Sequence, residues 1–151
     1  MPISFDLELP AGDDLPDIAR ADLTFYGLDH SGPSYEVRVF FDKPDAGADT
    51  PLDDPSYAGS FSVFGHGGCF GEEGHCDVRR PVSAFDRRLP HQLVPATRVL
   101  ICTAAIRRLV AGGRDRVTAT LVEVVRATPL TDPDATGEVL RLDQVALHTY
   151  E

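Results

Sequence analysis

Apolar and polar residues alternate in short runs along most of the chain, and proline, glycine and aspartate separate the runs. From Ile3 to Leu9, Ile3, Phe5, Leu7 and Leu9 are apolar while Ser4, Asp6 and Glu8 are polar, the period-2 pattern of a half-buried strand. Pro10 to Asp17 interrupts it. Ala21 to Leu28 reads as a second strand and stops at Asp29-His30-Ser31-Gly32-Pro33; Tyr35, Val37, Val39 and Phe41 mark a third. The turn between these two strands predicts that they pair as a hairpin. Asp42 to Pro55 is an acidic loop rich in proline and glycine, expected to lie in solvent. Its Asp45, Asp49, Asp53 and Asp54 fit the spacing of no calcium loop.

Tyr57 to Phe64 predicts a fourth strand with Phe61 and Val63 on one face, followed by a glycine-rich loop, Gly65 to Gly74, and a short strand over Cys76 to Pro81. Ser83 to Pro95 is irregular. Arg98 to Thr103 has the composition of a buried strand, and Ala104 to Val110 that of a helix closed by Gly112-Gly113. Val117 to Val125 is a run of β-branched residues. Val139 to His148 alternates poorly and predicts two short strands bent at Asp143-Gln144. About seven to eight short strands and one short helical turn make an all-β chain: an antiparallel β-sandwich or barrel. No repeat or linker divides residues 1–151, so one domain is expected.

Charge narrows the partners. Residues 1–78 hold 16 acids and 3 bases, residues 79–151 hold 8 acids and 11 bases, and the sum is -10. Such a chain lacks the basic face that releases counterions from nucleic acid. No window has the length of a membrane span, and the N-terminus lacks the basic and apolar regions of a signal peptide. The expected location is cytoplasmic, with export on a partner's signal left open. Three cysteines fit a reducing compartment or a metal site better than a disulfide framework.

Titratable and soft side chains concentrate between Gly65 and Cys76, where His66, Cys69, His75 and Cys76 fall within about ten residues of one another. Thiolate and imidazole together favour Cu(I) or zinc, and five glycines let the backbone fold back on itself. Neighbouring His75 and Cys76 point apart if extended, so three of the four is the expected ligand set. The alternatives are a hairpin tip with incidental His and Cys, or a Cys69–Cys76 bridge. Other chemistries lack essential parts. Gly65-His66-Gly67-Gly68 has no G-x-S-x-G elbow to serve. No phosphate loop is present. The only methionine is Met1, which leaves a blue-copper site without its usual axial ligand. Cys102, in an apolar run, is expected to be a core thiol.

The runs Ser34 to Ala46 (SYEVRVFFDKPDA) and Tyr57 to Gly67 (YAGSFSVFGHG), with Ala58-Gly59-Ser60-Phe61 in place of an AG-[ST]-F strand, resemble the C-terminal β-sandwich domain of the type-3 copper proteins: tyrosinases, plant polyphenol oxidases and molluscan hemocyanins. Ala84-Phe85-Asp86-Arg87, Arg98 to Leu109 and the strands after Val117 are similar to later segments of that domain. The resemblance spans about residues 20–150. In that family the domain covers the copper site, places a bulky side chain in the substrate entrance and in some systems assists copper loading. It implies Tyr26 or Leu28 as the plug, with ordinary core or edge positions as the alternative for either.

The family's dicopper centre takes six histidines from a helical bundle, whereas this chain has five, His30, His66, His75, His91 and His148, and no long helical pattern. The resemblance therefore implies a non-catalytic accessory protein. It would bind a separately encoded tyrosinase-like copper enzyme, cap its active site and hold copper transiently at His66, Cys69, His75 and Cys76. Two alternatives stand beside it: a small mononuclear metal enzyme using the same loop with Glu72 or Glu73, and a metal-free assembly module.

Overall fold

The computed structural model describes residues 2–10, 17–66, 85, 93–125 and 139–151. Seven strands and one helix occur among them: β1 (Ile3–Glu8), β2 (Arg20–Leu28), β3 (Tyr35–Phe41), β4 (Tyr57–Val63), β5 (Ala96–Ile101), α1 (Thr103–Ala111), β6 (Arg116–Val125) and β7 (Gln144–Tyr150). They form two antiparallel sheets, β1-β6-β3-β4 and β5-β2-β7. The sheets do not close, so the sandwich form of the expected architecture is the one adopted. No helix among the described residues is long and apolar enough to cross a membrane.

β2 and β3 do not form the expected hairpin. Each is the apolar centre of its own sheet, β2 between β5 and β7, β3 between β4 and β6. Both edges of each strand are already taken, so residues 29–34 cross from one sheet to the other. The inward residues of the two sheets meet in one core, with Leu23, Phe25 and Leu28 of β2 facing Val37 and Val39 of β3, Val63 of β4 and Leu121 of β6. Burial of such side chains stabilises the fold by roughly 1.5–3 kcal/mol each. The Phe25 ring lies 4.6 Å from that of Phe61, joining β2 to β4 across the layers.

Gly59 lets the sheets close near this contact. Its φ is +140°, and a Cβ there would lie 2.8 Å from Leu100 Cδ1 of β5. Glycine in the Ala58-Gly59-Ser60-Phe61 segment is thus a site of close approach between layers.

Three other expectations are adjusted. β5 is an edge strand with one face outward, not a buried strand, because only β2 pairs with it. Residues 139–142 are not a strand: Glu123 Oε2 accepts from Val139 N at 2.9 Å and Leu140 N at 2.6 Å, which replaces a ladder partner, and regular pairing starts after the bend at Asp143. The acidic loop is not wholly in solvent, since Ala46 packs with Phe40, Val122 and Tyr57 on the outer side of the four-stranded sheet. The helix is as expected, buried through Ala105, Ile106 and Val110 and closed by Gly112 and Gly113, whose amides bond back to Arg108, Leu109 and Val110.

Candidate functional site

The outward face of β5-β2-β7 is built by the strand period. Its register sets Asp22 opposite Ile101 and His148, Thr24 opposite Val99 and Ala146, and Arg20 opposite Tyr150. Ile101 is 59% exposed, and Val99 and Tyr150 50% each. Tyr26 is 37% exposed in the same layer. Its hydroxyl lies 3.3 Å from His148 Nε2. His148 pairs with Asp22 and Tyr26 with Gln144, so the Tyr26–His148 contact runs diagonally past Thr24 and Ala146. Below them, Arg20 Nε donates to both Asp22 carboxylate oxygens at 2.8 and 2.9 Å. The face therefore sets exposed Val99, Ile101 and Tyr150 alongside the Arg20–Asp22 pair, with the Tyr26–His148 contact toward the bulge end of β2.

A β-bulge decides which side chain points outward. In a regular strand residues 26 and 28 would share a face. Between Phe25 and Leu28 the pairing with β5 advances only from Arg98 to Ala96, which leaves one extra residue on β2. Gly27 absorbs it with φ +72°. Asp143 N donates to Tyr26 O at 2.9 Å, and the Asp143 carboxylate packs where a side chain on residue 27 would stand. Phe25 and Leu28 therefore both enter the core, each with 0% exposure, while Tyr26 stays outside.

A second cluster lies where the β2–β3 connection, the end of β4 and the approach to β5 meet. His66 N donates to His30 O at 2.9 Å, and Gly65 N to Ser34 Oγ at 3.0 Å. The His30 and His66 rings are 5.3 Å apart, tilted by 49°. His30 Nε2 is 2.8 Å from Val94 O; a carbonyl only accepts, so Nε2 carries the proton and Nδ1 of the neutral ring keeps its lone pair. Tyr35 OH donates to Asp29 O at 3.0 Å beneath the turn. Burial, with the charges of Asp29 and Glu123 adding to it, pushes the Tyr35 phenol up to about 12. Hydrogen bonds from Ser31 hold the Asp29 carboxyl below its ordinary range.

No protein-family model matches the sequence, and no curated protein matches it. Solved structures do. Latent aurone synthase (polyphenol oxidase) from natural source aligns with a TM-score of 0.54 at 19% identity, over 99% of this chain and 24% of that one. The recombinantly expressed latent enzyme aligns with a TM-score of 0.54 at 20% identity over the same shares. The fold is similar to that of part of a polyphenol oxidase. This likeness is one of fold, and the chain spans about a quarter of the length of the oxidases it matches.

Against that fold the expected site residues fall as follows. Tyr26 is outward and Leu28 is a core residue, so of the two only Tyr26 presents its side chain at the surface. His66 is placed beside His30, which the spacing of His66, Cys69, His75 and Cys76 did not include. Cys69, His75 and Cys76 lie outside the described residues. Among the described residues, no group of three or more His, Cys, Asp or Glu is placed to hold a metal. His148 belongs to the outward face and not to the His30–His66 cluster. A six-histidine dicopper centre does not fit a chain of five histidines. Cys102 is buried with its thiol 3.6 Å from Ala21 O, and burial raises it to about 11.

Proposed function

We propose that this protein is a non-catalytic accessory domain of a tyrosinase-like copper enzyme encoded separately. It docks through the outward face of β5-β2-β7 and sets Tyr26 at the enzyme's substrate entrance. His66, Cys69, His75 and Cys76 hold copper transiently and pass it on. The observation that carries this reading is the exposure of Tyr26 on a bulge, bonded to His148, with exposed Val99, Ile101 and Tyr150 further along the same sheet face. Apolar side chains gathered on one sheet face mark a protein contact, and bulges serve to re-aim side chains beside functional sites. The likeness of fold to part of a polyphenol oxidase supports the choice of a tyrosinase-like enzyme.

The test is titration of the protein into the six-histidine copper enzyme of the same genome, read by calorimetry. The parent forms a one-to-one complex, and Ile101→Glu weakens it by about ten-fold or more, since a charge is then desolvated in an apolar contact. Equal binding by Ile101→Glu and the parent would remove this face from the reading.

A further inference from the structure

We infer that His30 and His66 form a two-imidazole seat for a single copper or zinc ion, with His30 bound through Nδ1. The inference deepens the proposed copper handling by adding a ligand from the β2–β3 connection, and it rests on that reading only in its choice of metals.

Three observations converge on it. The first is distance. A metal–imidazole bond of about 2.0 Å puts the ring centre about 3.2 Å from the ion, so rings whose centres are 5.3 Å apart are close enough to share one ion. The second is tautomer. A metal-bound histidine ordinarily donates its other ring N–H to a carbonyl or carboxylate, which fixes the ring and raises its basicity. His30 already does so through Nε2 to Val94 O at 2.8 Å, leaving Nδ1 as the ligand nitrogen. The third is rigidity. His66 N bonds to His30 O at 2.9 Å and Gly65 N to Ser34 Oγ at 3.0 Å, so the two backbones are tied before any ion arrives. Gly65 is packed against the Gly32 and Pro33 backbone, where a side chain would not fit. Such preorganisation lowers the ordering cost of binding.

Imidazole donors suit copper and zinc and not calcium or magnesium. Two protein ligands leave coordination positions open, the arrangement of a site that receives and releases its ion.

The experiment uses the full chain carrying Cys69→Ser and Cys76→Ser, so that thiolates do not mask the imidazoles. Zn(II) and Cu(I) are each added alone near neutral pH, and histidine ring nitrogens are followed by nitrogen-15 NMR. The expected result is a joint shift of His30 Nδ1 and one His66 ring nitrogen at one equivalent. His30→Gln, whose amide still reaches Val94 O as a donor, then weakens binding about ten-fold or more. If neither ring responds to either metal, the seat is overturned. Should the parent still bind Cu(I) in that case, the loop cysteines hold it and the copper part of the proposed function survives; should the parent bind neither metal, that part falls as well. If the double serine variant does not fold, the same ring nitrogens are read in the Cys69→Ala, Cys76→Ala variant, with the same two outcomes.

Discussion

The carboxylate of Asp143 occupies the space beside the Gly27 backbone that any larger residue at position 27 would need. One bend thereby settles both the start of β7 and the outward aim of Tyr26. Gly27 takes a φ of +72°, and an L-residue there carries strain of about 1–3 kcal/mol. Gly27→Ala is expected to lower unfolding stability in urea by that amount or somewhat more. The Gly27→Ala, Asp143→Ala pair recovers the carboxylate's share of the steric cost and leaves the backbone strain and the approach to the Cβ of residue 143, at 2.8 Å. A Gly27→Ala protein as stable as the parent would show that the bulge is not held in this way.

Gly59 supplies a second steric test, between layers. A Cβ on residue 59 would lie 2.8 Å from Leu100 Cδ1, and φ is +140°. Gly59→Ala is expected to cost about 1–3 kcal/mol. In a Leu100→Ala background the penalty shrinks, because the opposing methyl is gone while the backbone strain remains. Thermal and urea unfolding of the four proteins close the cycle.

Tyr35 has a signature in alkali. Its phenol is raised to about 12, first by burial and then by Asp29 and Glu123, against about 10 in an unfolded chain. Between these values the folded state keeps a proton that the unfolded state has lost. Tyr35 therefore contributes stability that is whole below about pH 10 and is lost as pH rises through about 12. Near-ultraviolet titration is expected to show one of the four tyrosines ionising last, and Tyr35→Phe removes that step. A titration unchanged by Tyr35→Phe contradicts the placement.

Cys102 is expected to be inert. The thiolate is the reactive form, and burial both shields the sulfur and raises its pKa to about 11. A mild alkylating reagent, mapped by mass spectrometry, leaves Cys102 unmodified in the native protein and labels it in denaturant. Rapid native labelling would contradict its position behind Ala21.

Much of the scaffold was legible in the sequence because strand period and caps are local. Ile3 to Leu9 and Tyr35 to Phe41 alternate as written, and Gly112-Gly113 ends α1 where a helix of that length must end. What failed was non-local. Nothing in Ala21 to Phe41 states that both strands are central, so adjacency in sequence suggests a pairing that the sheets do not contain. The apolar run at Arg98 to Thr103 looked buried because an edge position is a property of the sheet and not of the strand. Tyr26 and Leu28 were inseparable by period, since the bulge that parts them depends on Asp143, more than a hundred residues later. The His30–His66 pair is not legible in the sequence, because only the crossing of residues 29–34 between sheets brings the two imidazoles together.

The central claim is that Tyr26 acts on an enzyme's entrance from a docked sheet face. The most direct measurement is diphenol oxidation by a tyrosinase-like copper enzyme, as proposed above, saturated with the parent protein or with Tyr26→Ala, alongside the binding constant of each. The account predicts that the parent suppresses oxidation and that Tyr26→Ala restores most of it while binding changes little. Suppression by Tyr26→Ala equal to that by the parent, or no suppression by either at saturation, would contradict it.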